Sequence, residues 1–253
     1  MKINCMTRLQ AAWLLIFSGS SLAALSVDQT RYIFESNRES VSIVVENAAK
    51  QTYGGQMWVE NREGTDTRPA FIVTPSFFKV SGESKQVLRV VNVLKTMPED
   101  KESVFWVNLQ EIPPVNKEGG LSIALRTKVK LFYRPADLMR GREVAEEDLS
   151  LVKTRDKTEL VNTTPYVFTI LKLLDPQDRA VILDKQTQNK LRVFAPGDSV
   201  ILSAGSTVKS VMSINDNGQL EQHIIDDLSS GSVTSKTSTD GRLIDGTSLR
   251  SVQ

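Results

Sequence analysis

Leu121-Ser122-Ile123-Ala124-Leu125-Arg126-Thr127-Lys128-Val129-Lys130-Leu131-Phe132-Tyr133-Arg134 is the run that decides the fold. Leu121, Ile123, Leu125, Val129, Leu131 and Tyr133 alternate with Ser122, Ala124, Arg126, Lys128, Lys130 and Arg134, and only Thr127 and Phe132 break the pattern. A strand turns successive side chains to opposite faces, so this spacing predicts one long strand over 121–134. Lys117-Glu118-Gly119-Gly120 turns the chain into it and Pro135 ends it. The pattern admits two readings. The commoner is a half-buried strand filling its own sandwich. The sharper is an edge strand that lends its backbone, with Leu121, Ile123 and Leu125, to another protein by β-augmentation. Periodicity alone does not separate them.

Outward from this run the chain reads as β. Val41–Glu46, Gly55–Glu60, Gln86–Val91 and Val104–Leu109 are short segments rich in β-branched and aromatic residues, divided by Asn61 with Gly64, Pro75-Ser76, Ser81-Gly82 and Pro98-Glu99-Asp100. Trp58 and Trp106 sit within these patterns as core residues. Several strands at this spacing, without amphipathic helices between them, predict an antiparallel sandwich. The charged stretch 139–148, containing Gly141, reads as a linker. A second β unit follows over 149–228, with strands expected at Glu159–Val161, Tyr166–Leu171, Lys190–Phe194, Ser199–Leu202 and Ser210–Ile214. From Ser229 to Gln253, Ser, Thr, Gly and Asp dominate without an aromatic residue. Such a segment buries too little apolar surface to offset its ordering entropy, so 229–253 is expected to be a mobile tail.

The first 23 residues read as a secretory signal peptide: Lys2 and Arg8, then the apolar run Ala11–Phe17, then Ser21-Leu22-Ala23 before a cleavage point. The apolar run falls well short of the roughly 20 residues needed to span a bilayer. Cleavage would remove Cys5, the only cysteine among 253 residues, and with it any disulfide or multi-cysteine zinc site. His223 is the only histidine, which argues against histidine-rich metal centres, and a formal net charge of +1 argues against nucleic acid as a partner. No GxGxxG, Walker, HExxH, CxxC or GxSxG motif occurs. Glu146-Glu147 reads as solvated charge and His223 as a strand residue. Asn162-Thr163-Thr164 matches a glycosylation sequon, a short match that is usually chance.

Several segments carry a resemblance. Ala24–Arg31 looks like an opening strand, Asn108-Leu109-Gln110-Glu111-Ile112-Pro113-Pro114 like a signature ahead of an exposed strand, and Thr127–Pro135 like that strand's end. Asn162-Thr163-Thr164-Pro165-Tyr166 and Ile214-Asn215-Asp216-Asn217-Gly218 fit the second unit. In this order they resemble the periplasmic chaperones of the chaperone–usher pilus pathway, the PapD-like family.

The resemblance implies an all-β protein of two immunoglobulin-like β-sandwich domains in a boomerang, an N-terminal domain over 24–138 and a second over 149–228, with a cleft between them. It implies that Arg31 and Lys130 bind a subunit's C-terminal carboxylate, with Lys128 the competing lysine of the same parity. A guanidinium offers a fork of donors to a carboxylate and an ammonium adds a compact charge. It implies that Leu121, Ile123 and Leu125 fill the groove of an incomplete subunit sandwich, and that Glu102, Arg134 and Asp216 form an inter-domain charge network. The partners it implies are pilus subunits and an outer-membrane usher, with no nucleic acid, no small-molecule substrate, no metal and no cofactor. A self-capping dimer of the free protein remains open. The implied location is the periplasm, and the implied activity is capping, not enzymatic. Three departures stand out. There is no C-terminal cysteine pair, the sequence after Gly218 is unlike the family's last strand, and Ser76 stands where a second proline is common, leaving a cis bond at Pro75 open. The alternative function is a secreted ligand-binding sandwich of the carbohydrate or adhesion type; an exported hydrolase lacks a nucleophile and base.

Overall fold

A computed structural model describes residues 23–62, 68–94, 96–115, 122–154, 157–203 and 205–225. Residues 1–22 of the expected signal peptide, Leu121 and the expected tail 229–253 lie outside them.

The first unit is a sandwich of two sheets. One orders β1 (Leu25–Val27), β3 (Ser40–Asn47), β7 (Ser84–Asn92) and β5 (Phe71–Thr74) as β1-β3-β7-β5. The other runs β2-β9-β8-β4-β6, from β2 (Arg31–Glu35), β9 (Arg126–Arg134), β8 (Ser103–Ile112), β4 (Tyr53–Asn61) and β6 (Phe77–Val80). Alternation decides the core. Ile43, Val45, Leu88 and Val90 of the first sheet meet Tyr32, Phe34, Met57, Val107, Leu109 and Leu131 of the second, all essentially without solvent contact. Phe34 meets Phe71 edge-on at 5.1 Å, and Phe71 meets Phe105 at 4.9 Å. The Thr74–Pro75 bond between β5 and β6 is cis.

The second unit stacks β10 (Ser150–Lys153), β11 (Thr158–Val161) and β13 (Ser199–Leu202) against β12 (Ile170–Leu174), β14 (Ser210–Ile214) and β15 (Leu220–Ile224). Its core gathers Leu160, Phe168, Leu173, Phe194 and Val211. β15 is paired with β14, so a strand does form after Gly218, and His223 lies on it. Asn162 is fully buried and donates to the carbonyls of Tyr166 and Phe194, so it is a structural amide and the sequon is coincidental.

Three expectations are corrected. The expected strand at Lys190–Phe194 is instead the end of a helix, α1 (Lys185–Leu191), and the bend after it. Asp184 caps that helix by accepting from the Thr187 amide at 2.9 Å, and Leu191 alone is buried. The strand expected at Tyr166–Leu171 begins only at Ile170; Val167 and Phe168 leave the ladder to pack, with Phe168 bridging Phe194. Finally, the stretch 139–148 is not solvated throughout. Two 3-10 turns, Ala136–Gly141 and Ala145–Asp148, occupy most of it; Arg142, between them, and Ala145 and Glu146, in the second, are buried.

The units meet through a small buried apolar cluster, Val104 and Phe132 against Val167 and Ala195. Gly218, at φ +81°, turns β14 into β15 directly against the first unit: a Cβ there would lie 2.5 Å from Thr30 Oγ1. Glycine is therefore required twice over, by its backbone angle and by this close approach.

Candidate functional site

The five-stranded sheet turns its second face to the cleft between the units. β2 lies parallel to β9 in the register Arg31 with Lys130 through Glu35 with Arg134. Because β9 alternates, Leu131 and Tyr133 enter the core while Lys130, Phe132 and Arg134 face the cleft. The same alternation sends Tyr32 and Phe34 inward and Arg31 to the cleft beside Lys130.

Arg31 and Lys130 are 7% and 9% exposed. Arg31 Nη1 donates to the Ile214 carbonyl at 2.8 Å, and its buried Nε makes no hydrogen bond among the described residues. Its guanidinium stands 6.0 Å from the Phe132 ring centre. Lys130 Nζ donates to Thr169 Oγ1 at 2.6 Å and to the Arg192 carbonyl. Burial, then the charges of Arg31 and Arg192, pull the Lys130 ammonium down to about 7. These are two neighbouring basic side chains in a desolvated corner; the charge of Asp216 reaches Arg31, but among the described residues no carboxylate is hydrogen-bonded to either, and such a pair can donate hydrogen bonds to an anion. Lys128 shares this face, yet it is more exposed and donates to Glu60 Oε2 at 3.0 Å. The geometry thus groups Lys130, not Lys128, with Arg31.

Glu102, Arg134 and Asp216 come together. Arg134 is 2% exposed and donates through Nε to Glu102 Oε1 and through Nη1 and Nη2 to Asp216 at 2.6 and 2.9 Å. Glu102 Oε2 accepts the Val167 amide at 2.8 Å, which ties it to the second unit. For Asp216, burial opposes ionisation, but hydrogen bonds and charge from Arg134, then Arg142 and Arg31, outweigh it and hold the carboxyl below its usual range. The network extends beyond the three residues expected. Arg142 donates to Glu146 at 2.7 and 3.1 Å, and Ser213 Oγ donates to Glu146 Oε1 at 2.8 Å. Arg142 also stands 5.0 Å from the Phe168 ring centre. The i,i+4 spacing of Arg142 and Glu146 was the available signal; nothing local reported that both would be buried.

The expected strand over 121–134 is shorter than its pattern. β9 starts at Arg126, and Ser122–Leu125 is exposed and outside any strand, with Ile123 65% and Leu125 44% exposed. Glu111 fixes its base. This buried carboxylate accepts the Leu125 amide at 3.2 Å and the Leu25 amide at 2.8 Å, a contact that the sequence did not suggest. On its β2 side, β9 is paired only from Lys130 onward, so among the described residues the edge of Arg126–Val129 carries no strand. Trp58 and Trp106, expected in the core, lie half-buried on the cleft face instead, because β4 and β8 present their even positions there.

The pili and flagellar-assembly chaperone model, PapD N-terminal domain, matches residues 24–139. Chaperone protein FaeE of Escherichia coli is 50% identical over 204 residues, which cover 80% of this chain and 78% of that protein. The chain belongs to this family of pilus-assembly chaperones. Chaperone protein FanE of Escherichia coli is 37% identical over 209 residues, 81% of this chain and 91% of that one. Among solved structures, the periplasmic chaperone SfaE has a TM-score of 0.62 at 29% identity, covering 79% of this chain and 97% of its own. The SafB chaperone, solved with the Salmonella enterica SafA pilin, has a TM-score of 0.65 at 21% identity, over 81% of this chain and 98% of that chain, and speaks for the fold alone. The protein is a chaperone of pilus assembly with the PapD-like two-domain fold. The family is one of periplasmic chaperones, and the alternative of a carbohydrate or adhesion module falls away.

Proposed function

We propose that the chaperone captures an unfinished pilus subunit by lending it residues 121–129 and clamping its C-terminal carboxylate between Arg31 and Lys130. What carries this reading is the alignment of those two buried cations at the point where β2 begins and the free edge of β9 ends. A strand whose carboxylate sits at Lys130 must run toward Lys130, hence parallel to β9, and takes the place in the row that β2 leaves empty. Main-chain hydrogen bonds along Arg126–Val129 supply affinity, and the carboxylate clamp sets the register. Leu121, Ile123 and Leu125 then fill the subunit's apolar groove, which would otherwise be an aggregation hazard.

Glu102, Arg134 and Asp216, joined by Arg142, Glu146 and Ser213, hold the angle between the units and therefore the shape of the cleft. The units divide at 139–148, 24–138 before it and 149–228 after. The chain is exported on its first 23 residues, and a subunit so capped is handed to an outer-membrane usher.

Periplasmic co-expression with a cognate subunit tests this. Wild-type protein co-purifies with the subunit; Arg31→Ala and Lys130→Ala each lose it while their unfolding curves stay cooperative. Undiminished co-purification by folded variants would overturn the clamp.

A further inference from the structure

A row of side chains continues from Lys130 along the cleft face beside the open edge of β9. Glu60 is its hub. Glu60 Oε1 accepts Arg126 Nη2 at 2.6 Å and Trp58 Nε1 at 3.0 Å, and Oε2 accepts Lys128 Nζ at 3.0 Å. The guanidinium of Arg126 lies 4.7 Å from the Trp58 ring centre and is further held by Asn108 Oδ1, at 2.8 and 3.1 Å. Lys128 Nζ lies 5.0 Å from the Trp106 ring centre, and Lys130 Nζ 5.9 Å from the same ring.

Register puts these groups together: Trp106 pairs with Lys130 and with Glu60, Asn108 with Lys128 and with Trp58. The indoles act as rails that hold the cations upright. Burial resists the ionisation of Glu60, but the hydrogen bonds and charge from Lys128, Trp58 and Arg126 hold its carboxyl down to about 2. Even so, Arg126 and Lys128 share this one carboxylate, and both remain partly exposed.

A strand added to the β9 edge lies about 4.8 Å away and turns every second side chain to this same face. Those side chains come beside Arg126 and Lys128. From this placement, and resting on the proposed capture at Arg31 and Lys130, we infer that the row Arg126–Glu60–Lys128 with Trp58 and Trp106 is a specificity site. It selects subunits with an acidic side chain at alternate positions just before the C-terminus and rejects basic ones. Glu60 is the internal stand-in that occupies the two cations until such a side chain arrives.

The test is calorimetric titration of the whole chaperone with synthetic ten-residue strand-forming peptides. A single Glu is walked through the five positions before the last residue, each peptide made as free acid and as amide. The wild type should bind the Glu peptides about fivefold more tightly at every second position, the size of a cross-strand charge pair. Lys in those positions should weaken binding. Glu60→Gln should enlarge the preference, and Arg126→Gln with Lys128→Gln should erase it while leaving the preference for acid over amide. A flat scan with acid still preferred to amide overturns the specificity site alone. Acid and amide bound equally, or no peptide bound, overturns the clamp and the inference with it.

Discussion

Subunit capture should weaken as pH rises through 7, because the clamp contains a lysine that is only partly protonated when free. The groups facing Lys130 are Arg31, Thr169, the Arg192 carbonyl with its side chain, and Trp106. Burial leaves the ammonium at about 7, whereas a carboxylate in contact with it restores an ordinary lysine value. Binding then takes up a proton wherever the free protein lacks it. The dissociation constant is multiplied by about 1 at pH 6, about 2 at pH 7, about 10 at pH 8 and about 100 at pH 9, since one unit corresponds to about 1.36 kcal/mol. The subunit's terminal carboxyl, near pKa 3.5, stays ionised throughout. Calorimetry in buffers of different ionisation enthalpy should register roughly 0.9 proton taken up at pH 8 and roughly 0.1 at pH 6. Lys130→Arg, if it still binds, should flatten the profile, because a guanidinium does not titrate there. An affinity constant within twofold from pH 6 to 9, without proton uptake, would refute the reasoning. The free chaperone should show the linked effect on stability. Its folded-state lysine binds a proton less well than the unfolded chain does, so the penalty is complete below pH 7 and is relieved as pH rises toward 10.

Two substitutions separate fold from function. Ile123→Asp should leave thermal unfolding unchanged, because the side chain is 65% exposed, yet weaken subunit binding by about 3 kcal/mol, roughly a hundredfold; full affinity by surface plasmon resonance would mean the segment enters no groove. Arg134→Ala should act on the fold itself, costing about 3–5 kcal/mol in denaturant unfolding by stranding buried Glu102. A loss under about 1 kcal/mol would show that the network does not hold the units together.

The strands were legible wherever one face is core and the other is not, as in Ser40–Asn47, Ser84–Asn92 and Arg126–Arg134. The same rule misled at Leu121–Leu125. Its alternation is that of a strand, but among the described residues no strand lies along Ser122–Leu125, and pattern does not say whose core a side chain fills. Trp58 and Trp106 were misplaced because both faces of the five-stranded sheet are covered in part, one by core and one by the cleft's own charges. Helix α1 has seven residues and one buried leucine, too short for a 3.6-residue period to register. Glu146 read as solvated charge, and Arg142 as part of a charged linker, because their burial depends on Ser213 and Asp216, dozens of residues away. The pairing of Arg31 with Lys130 at the cleft was suggested only by resemblance; as isolated residues they look like any surface cations.

Hydrogen exchange along residues 122–129, measured in the free chaperone and in its complex with a subunit, tests the lent strand most directly. The account predicts fast exchange when free and strong protection on binding at the amides that face the open edge, with the Ile123 neighbourhood shielded as well. Exchange at 122–129 unchanged by a bound subunit would contradict it.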